Sequence, residues 1–346
     1  MSESDFPSSS PASLAMLRKG AGRRSAVPAA APRVEEGTLA ADMPAPRVLS
    51  ASGAGFDPVS WTEANRERLR ETLLREGALL FRDMGIDDVD LFKRTIDAFS
   101  GGPRLSYENR STPRTHLTDR IYTSTEYPAE YAIPLHNENS YTNSWPGTIF
   151  FYAAQPSESG GETPIADSRR IYAALDPALR ARFESRGVMY VRNYGHLDLP
   201  WQEVFQTEDR DRVEAFCAEA GIGFEWRDGG ALRTWQVCQA SAAHPQTGET
   251  VWFNQAHLFH VSSLPEAQRT ALLEACGNDG LPRNAYYGDG SDIEESALEE
   301  IRGCYAEHAI AFPWQRGDLL VLDNMLFAHG RMPYRGARRI LVGMTH

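Results

Sequence analysis

The runs Gly147-Thr148-Ile149-Phe150-Phe151-Tyr152-Ala153-Ala154, Asp318-Leu319-Leu320-Val321-Leu322-Asp323 and Arg338-Arg339-Ile340-Leu341-Val342-Gly343-Met344 constrain the fold more than any other feature. Each gathers β-branched, aliphatic or aromatic residues over the length of a strand. The first is apolar at almost every position, the pattern of a buried strand.

Histidines stand beside these strands. His136-Asn137-Glu138 precedes the first run, and His329 falls between the other two. Together they offer two imidazoles and a carboxylate, a set that on one face of an iron leaves the opposite positions open, as in non-heme Fe(II) oxygenases. The H-x-[DE] triplet alone carries little weight, because nine His and 47 Asp plus Glu among 346 residues predict about one by chance. Two occur, and the second, His196-Leu197-Asp198, sits in a polar, Pro-bounded stretch with no strong strand run after it.

Context favours the first. Its strand leads into Gly160-Gly161-Glu162-Thr163-Pro164-Ile165-Ala166-Asp167, which puts the Thr163 hydroxyl just beyond two glycines, where backbone can approach a ligand closely. Near the chain's end an arginine, Arg338 or Arg339, begins the last strand run. A buried guanidinium needs an anion, and a dicarboxylic cosubstrate supplies a planar carboxylate suited to its paired donors. Iron, O2 and 2-oxoglutarate fit together.

With Gly77-Ala78-Leu79-Leu80-Phe81-Arg82, Tyr122-Thr123-Ser124-Thr125-Glu126-Tyr127-Pro128 and Trp252-Phe253-Asn254-Gln255-Ala256-His257-Leu258-Phe259-His260, these segments form an ordered series. From roughly residue 50 to the end, the chain resembles the TauD/TfdA family of Fe(II)/2-oxoglutarate-dependent dioxygenases, and within it the branch of syringomycin-type amino-acid hydroxylases. The resemblance implies His136, Glu138 and His329 as Fe(II) ligands, with Thr163 and one C-terminal arginine as contacts to 2-oxoglutarate. Glu138 stands where the wider family usually has Asp, although Glu is familiar in the branches acting on amino acids. Halogenating relatives have a small residue there, which disfavours halogenation. Adjacent residues on a strand point to opposite faces, so only one of Arg338 and Arg339 can face the metal. The pattern Gly336-x-Arg338 matches the close branch and favours Arg338, whereas alignment to more distant members shifts the choice to Arg339.

Sequence pattern alone gives an α+β fold. The resemblance implies a double-stranded β-helix, a cupin-like jelly-roll core with helical insertions. Helices are expected over 61–76, ended by Gly77, over 88–99, and at Pro177 to Glu184, Arg212 to Ala220 and Pro265 to Cys276. Residues 1–50, rich in Ser, Ala and Pro with a basic patch from Arg18 to Arg24, read as a disordered arm ahead of a dioxygenase domain over 51–346.

Four further residues are candidates for substrate contact. Asn254, Gln255 and His257 are polar groups set between aromatics, and Glu126 is a carboxylate suited to a substrate ammonium. The alternatives are a hydrogen-bonded turn and an exposed carboxylate. His196, His244, His308 and His346 read as structural histidines.

A formal net charge of −12 argues against a nucleic-acid or anionic-membrane partner, both polyanions, and no apolar run approaches membrane-spanning length. The four cysteines, Cys217, Cys238, Cys276 and Cys304, are widely spaced, lack a C-x-x-C pair, and suggest neither zinc nor a disulfide framework. With no signal-type apolar stretch at the N-terminus, a cytoplasmic location is expected. The resemblance implies hydroxylation of an unactivated C–H on an amino acid or an aminoacyl group tethered to a peptidyl carrier protein in natural-product biosynthesis. A free amino acid or other small acid, with desaturation or cyclisation as outcome, is the second reading. From another class, a jelly-roll that senses a metal or small acid without oxygen chemistry would not form succinate.

Overall fold

The three runs are neighbouring strands at the centre of one large sheet. The computed structural model describes residues 32–346 apart from 42, 44, 54, 106–115, 119–120, 124–126 and 196. Its eight-stranded sheet has the spatial order Arg33–Gly37, Arg47–Ser52, Ala78–Arg82, Leu319–Asp323, Thr148–Gln155, Arg339–Thr345, Ile121–Thr123, His116–Thr118. All pairs are antiparallel except Arg47–Ser52 with Ala78–Arg82.

A small three-stranded sheet of Ile133–His136, Phe327–Arg331 and Ile165–Asp167 lies against it. Side chains alternate across a strand, and here the two faces meet two different cores. Phe327 and Ile165 pack with Phe151, Leu320, Leu322 and Val342 of the large sheet. Leu135, Ala166 and Ala328 pack the other way, against Ile171, Leu298 and Ile301. All five residues of Phe327–Arg331 are buried, because the strand is covered on both faces.

Between the last two small-sheet strands the chain makes a long excursion. It contains a four-stranded sheet in the order Gly223–Trp226, Leu232–Cys238, Val188–Tyr194, Arg283–Tyr287, with the helices Ser168–Ala174, Pro177–Arg186, Arg210–Ala220, Glu266–Cys276 and Glu295–His308 around it. The helices expected in this region are present within two residues of their expected ends.

Two expectations need correction. The single helix over 61–76 is two, Pro58–Ala64 and Arg66–Glu76, broken at Asn65, which caps both. Gly77 ends the second in the left-handed region (φ 78°), and a Cβ there would sit 2.4 Å from the Phe327 ring, so the position excludes any side chain twice over. The N-terminal arm does not extend to residue 50, because Arg33–Gly37 is an edge strand of the large sheet and Arg47–Ser52 is the strand beside it. Their charged and small residues hid them from a search for apolar runs, although Leu49 is buried. The basic patch at Arg18 to Arg24 lies outside the described residues.

Candidate metal centre

His136 and His329 face each other directly across the antiparallel pair of the small sheet, with ring centroids 4.6 Å apart. Cross-strand partners point to the same side of a sheet, so sheet pairing itself brings the two imidazoles together. After His136 the backbone turns sharply. Asn139 takes a left-handed conformation (φ 57°), the Ser140 N–H donates to the Asn137 carbonyl at 3.3 Å, and the buried Glu138 carboxylate comes to 3.8 Å from Nε2 of His329. One donor atom from each of the three residues lies within 4.8 Å of the others. Donors with bonds of about 2 Å to a single ion lie at most about 4 Å apart, so small side-chain rotations would bring this set onto one ion.

The supporting hydrogen bonds fix these groups. Nδ1 of His136 is 2.8 Å from the Pro134 carbonyl, which can only accept, so this nitrogen carries the proton and Nε2 is the one suited to a metal. The fully buried Asn324 side chain accepts from the Glu138 N–H at 2.7 Å and donates to the Glu138 carbonyl at 3.0 Å and the Pro146 carbonyl at 2.9 Å. Asn137 returns the contact by donating to the Asn324 carbonyl at 2.7 Å, and Gln255 donates to the Asn137 carbonyl at 2.7 Å. The aromatic ring of Phe151, from the large sheet, closes on His329 at 4.9 Å between centroids.

Thr163 is on the neighbouring strand segment. The Gly330 N–H donates to the Pro164 carbonyl and the Met332 N–H to the Glu162 carbonyl, which sets Thr163 opposite Arg331, on the same side as His329. Its buried hydroxyl accepts from Trp314 Nε1 at 3.3 Å. The two glycines before it have φ of 68° and 74°, and a Cβ on Gly160 would lie 2.2 Å from the Pro333 carbonyl oxygen. Arg338 packs on Gly161, donating from Nε to its carbonyl at 2.9 Å. Burial, then the neighbouring Arg331, push the Arg338 pKa down to about 10, so it remains a cation at neutral pH. Arg339 is exposed. The two adjacent arginines are therefore separated by the strand's alternation, with Arg338 at the glycine turn and Arg339 at solvent.

Beside the centre lies a cavity of about 1010 Å³ with His136, Glu138, Tyr141 and Gln255 in its wall. Gln255 alone of the three aromatic-flanked candidates reaches it. Asn254 instead donates to the Ala240 carbonyl and accepts from the Ala256 N–H. His257 donates from Nε2 to the Leu135 carbonyl at 2.9 Å and packs on Tyr305; burial lowers its pKa to about 4, so it is neutral. Both polar groups hold backbone behind the cavity. Glu126 and His196 lie outside the described residues. Asp198, the carboxylate of the second triplet, is in the cavity wall with two arginines hydrogen-bonded to it. Burial pushes its carboxyl pKa up, and Arg283 and Arg192 more than reverse this, leaving it below the ordinary value.

Sequence reasoning assigned no role to Asn324 or Arg331. Arg331 is two residues beyond His329 on the same strand face and is buried. Its guanidinium donates to the carbonyls of Tyr127, Pro128 and Tyr131 at 2.7–2.8 Å, fixing a stretch of cavity wall to the strand that carries His329. The signal for both was proximity to His329 in the sequence, but an amide or a guanidinium aimed at backbone carbonyls leaves no side-chain partner to find.

Two opposed sheets holding a two-His, one-carboxylate set beside a cavity, with Glu138 and His329 buried and His136 half-buried, define the class of mononuclear non-heme metal oxygenases. The chain belongs to the TauD/TfdA family: the model described as "Taurine catabolism dioxygenase TauD, TfdA family" matches residues 41–345. It is 42% identical over 275 residues to the dapdiamide synthesis protein DdaC of Enterobacter agglomerans, covering 79% of this chain and 83% of that one. It is 32% identical over 287 residues to a clavaminate synthase-like protein of Arabidopsis thaliana, with 79% and 83% covered. Among solved structures, PvcB of Pseudomonas aeruginosa aligns with a TM-score of 0.54 at 15% identity, covering 91% of each chain. AAD-2 in complex with Mn(II) and N-oxalylglycine aligns with a TM-score of 0.52 at 15% identity, covering 90% of this chain and 97% of that one. The protein is an Fe(II)- and 2-oxoglutarate-dependent dioxygenase. No helix among the described residues is long and apolar enough to cross a membrane.

Proposed function

We propose that His136, Glu138 and His329 hold the Fe(II), that Thr163 and Arg338 bind the far carboxylate of 2-oxoglutarate, and that the adjoining cavity takes an amino-acid-like substrate for hydroxylation at an unactivated C–H. In this reading the two facing sheets are the halves of a double-stranded β-helix, with the metal at one end between them. The observation that carries it is the triad itself, its donor atoms within 4.8 Å of one another and two of its members in the cavity wall.

When bound, Fe(II) with 2-oxoglutarate and O2 supplies the oxidising power that breaks a C–H bond. The chain's residues supply position. His136 presents Nε2 because Pro134 holds the Nδ1 proton, and Asn324 fixes the turn from which Glu138 reaches back. Thr163 offers a hydroxyl proton and Arg338 a cation, the pair suited to a carboxylate. Phe151 covers His329 and keeps water from that side. Which substrate carbon reacts then depends on how the cavity wall seats it.

The names of two relatives support a natural-product role, with a carrier-tethered aminoacyl group as substrate and a free amino acid as the second reading. Fe(II) and 2-oxoglutarate added without oxygen to the metal-free protein are expected to give the weak visible band of chelated 2-oxoglutarate, lost in His136→Ala and retained in His196→Ala. Wild type without a band overturns the reading. Turnover of the carrier-bound form alone supports tethering, and equal turnover of the free amino acid removes it.

A further inference from the structure

The inserted sheet carries an unusual pair. Arg192 and Arg283 are direct cross-strand partners on Val188–Tyr194 and Arg283–Tyr287, where two like charges oppose pairing. Asp198 holds them together. It accepts from Arg192 Nε and Nη2 at 2.7 and 3.1 Å, and from Arg283 Nε and Nη2 at 2.9 and 2.8 Å. Its own place is fixed by the Leu199 N–H, which donates to the same carboxylate at 2.8 Å. The Arg192 guanidinium lies on the Tyr194 ring, 4.7 Å from its centroid.

Two guanidiniums and one carboxylate leave a net positive charge, and the cluster forms part of the wall of the same cavity that meets His136 and Glu138. Nη1 of Arg283 donates to no atom of the described residues, so the cluster keeps a planar pair of N–H groups uncommitted. The rest of the lining is largely apolar, with Leu199, Leu258, Phe259, Leu264 and Leu272. At about 1010 Å³ the cavity is at the upper end of the range for small-molecule sites, roughly 300–1,000 Å³, and far exceeds a small free amino acid.

We infer that Arg283, held by Asp198 and Arg192, is an anion subsite that binds a carboxylate of the substrate at the end remote from the reacting carbon. The inference rests on the proposed dioxygenase reading and narrows it to an elongated substrate with an apolar middle and an anionic far end. Asp198 here orients the donors and offsets one of the two charges, so that the arginines can be neighbours while one remains to be neutralised by ligand.

The test compares two probes of equal length, suberic acid monoamide, which has one carboxylate, and suberic acid diamide, which has none. Each is titrated calorimetrically into the full-length protein loaded with Fe(II) and 2-oxoglutarate without oxygen, while the visible band reports that the metal end remains occupied. A charge-assisted contact in a partly desolvated site predicts that wild type binds the monoamide at least about tenfold more tightly than the diamide. Arg283→Met is expected to abolish that preference and leave diamide binding and the visible band unchanged. Asp198→Asn removes the offsetting charge and is expected to tighten monoamide binding, an effect that a merely scaffolding cluster would not produce. Equal affinity of wild type for the two probes, a preference that survives Arg283→Met, or weaker monoamide binding by Asp198→Asn overturns the subsite. Repeating the titration on metal-free protein separates this failure from that of the dioxygenase reading, whose own sign is the absence of the band in wild type.

Discussion

The part of the cavity wall around the triad and the part around Asp198 are built on opposite principles. Around the triad, buried amides and a neutral imidazole hold backbone: Asn324, Asn137, Gln255 and His257 all bond to main-chain groups next to His136 and Glu138. Around Asp198, charged side chains hold one another, with Arg283 about a quarter exposed. A backbone-directed bond fixes a ligand's position without adding charge near a metal. An ion cluster places charge where a substrate can use it, with the position set less rigidly.

The comparison breaks most visibly at the proposed metal ligands. His329→Ala removes one imidazole of a three-residue set, and the expected outcome is loss of the 2-oxoglutarate band together with succinate formation down to background. Retention of both would place the metal elsewhere. Next in size is Asn324→Ala, which strips Glu138 of two backbone hydrogen bonds and Pro146 of one, and leaves buried partners unpaired. Expected are a loss of about 2–4 kcal/mol in urea unfolding of the metal-free protein and a 10–100-fold loss in iron affinity by titration. A variant that loses stability but binds iron normally would separate the turn from the metal.

Arg331→Met tests the join between the two parts of the wall. Freed from Arg331, the carbonyls of Tyr127, Pro128 and Tyr131 no longer tie the cavity wall to the strand that carries His329, so KM for substrate is expected to rise about tenfold with the band retained. A lost band instead would assign Arg331 to the cosubstrate.

The smallest effect is on pH dependence. Burial lowers the pKa of His260 from its ordinary 6.5 to about 4, so the folded state favours the neutral ring. Its Nδ1 accepts the Ser262 N–H, a bond that protonation at that nitrogen removes. The contribution is complete above pH 6.5 and lost as pH falls from 6.5 towards 4, because the unfolded chain takes up the proton first. Urea midpoints measured from pH 7 to 4.5 are expected to fall less steeply in His260→Asn than in wild type. Parallel curves would show that other groups govern acid stability.

Much of the central fold was legible because its signals are local. A run such as Thr148–Gln155 announces its burial by composition, and the left-handed Gly77 marks a helix end by its type. The arrangement at the cavity was not. Asn254, Gln255 and His257 look equivalent in the chain, and only Gln255 faces the cavity, since the helix Ala256–Phe259 starts between them and turns successive side chains in different directions. The strands before residue 52 gave no apolar signal, because Arg33–Gly37 lies at the sheet edge and Leu49 is the one buried residue of Arg47–Ser52 beside it.

The amino-acid sequence by itself determined the donor set, the strands that bear it, the glycine turn before Thr163 and the family to which these belong. Those are properties of residue type and spacing. The tertiary structure alone decided that Asp198 pairs with Arg192 and Arg283, that Arg331 serves backbone carbonyls, and that Arg338 turns inward while Arg339 faces solvent. Each depends on which strands become neighbours and in what register. Hydrogen bonds and ion pairs act over a few ångströms in space, and distance along the chain does not encode that proximity.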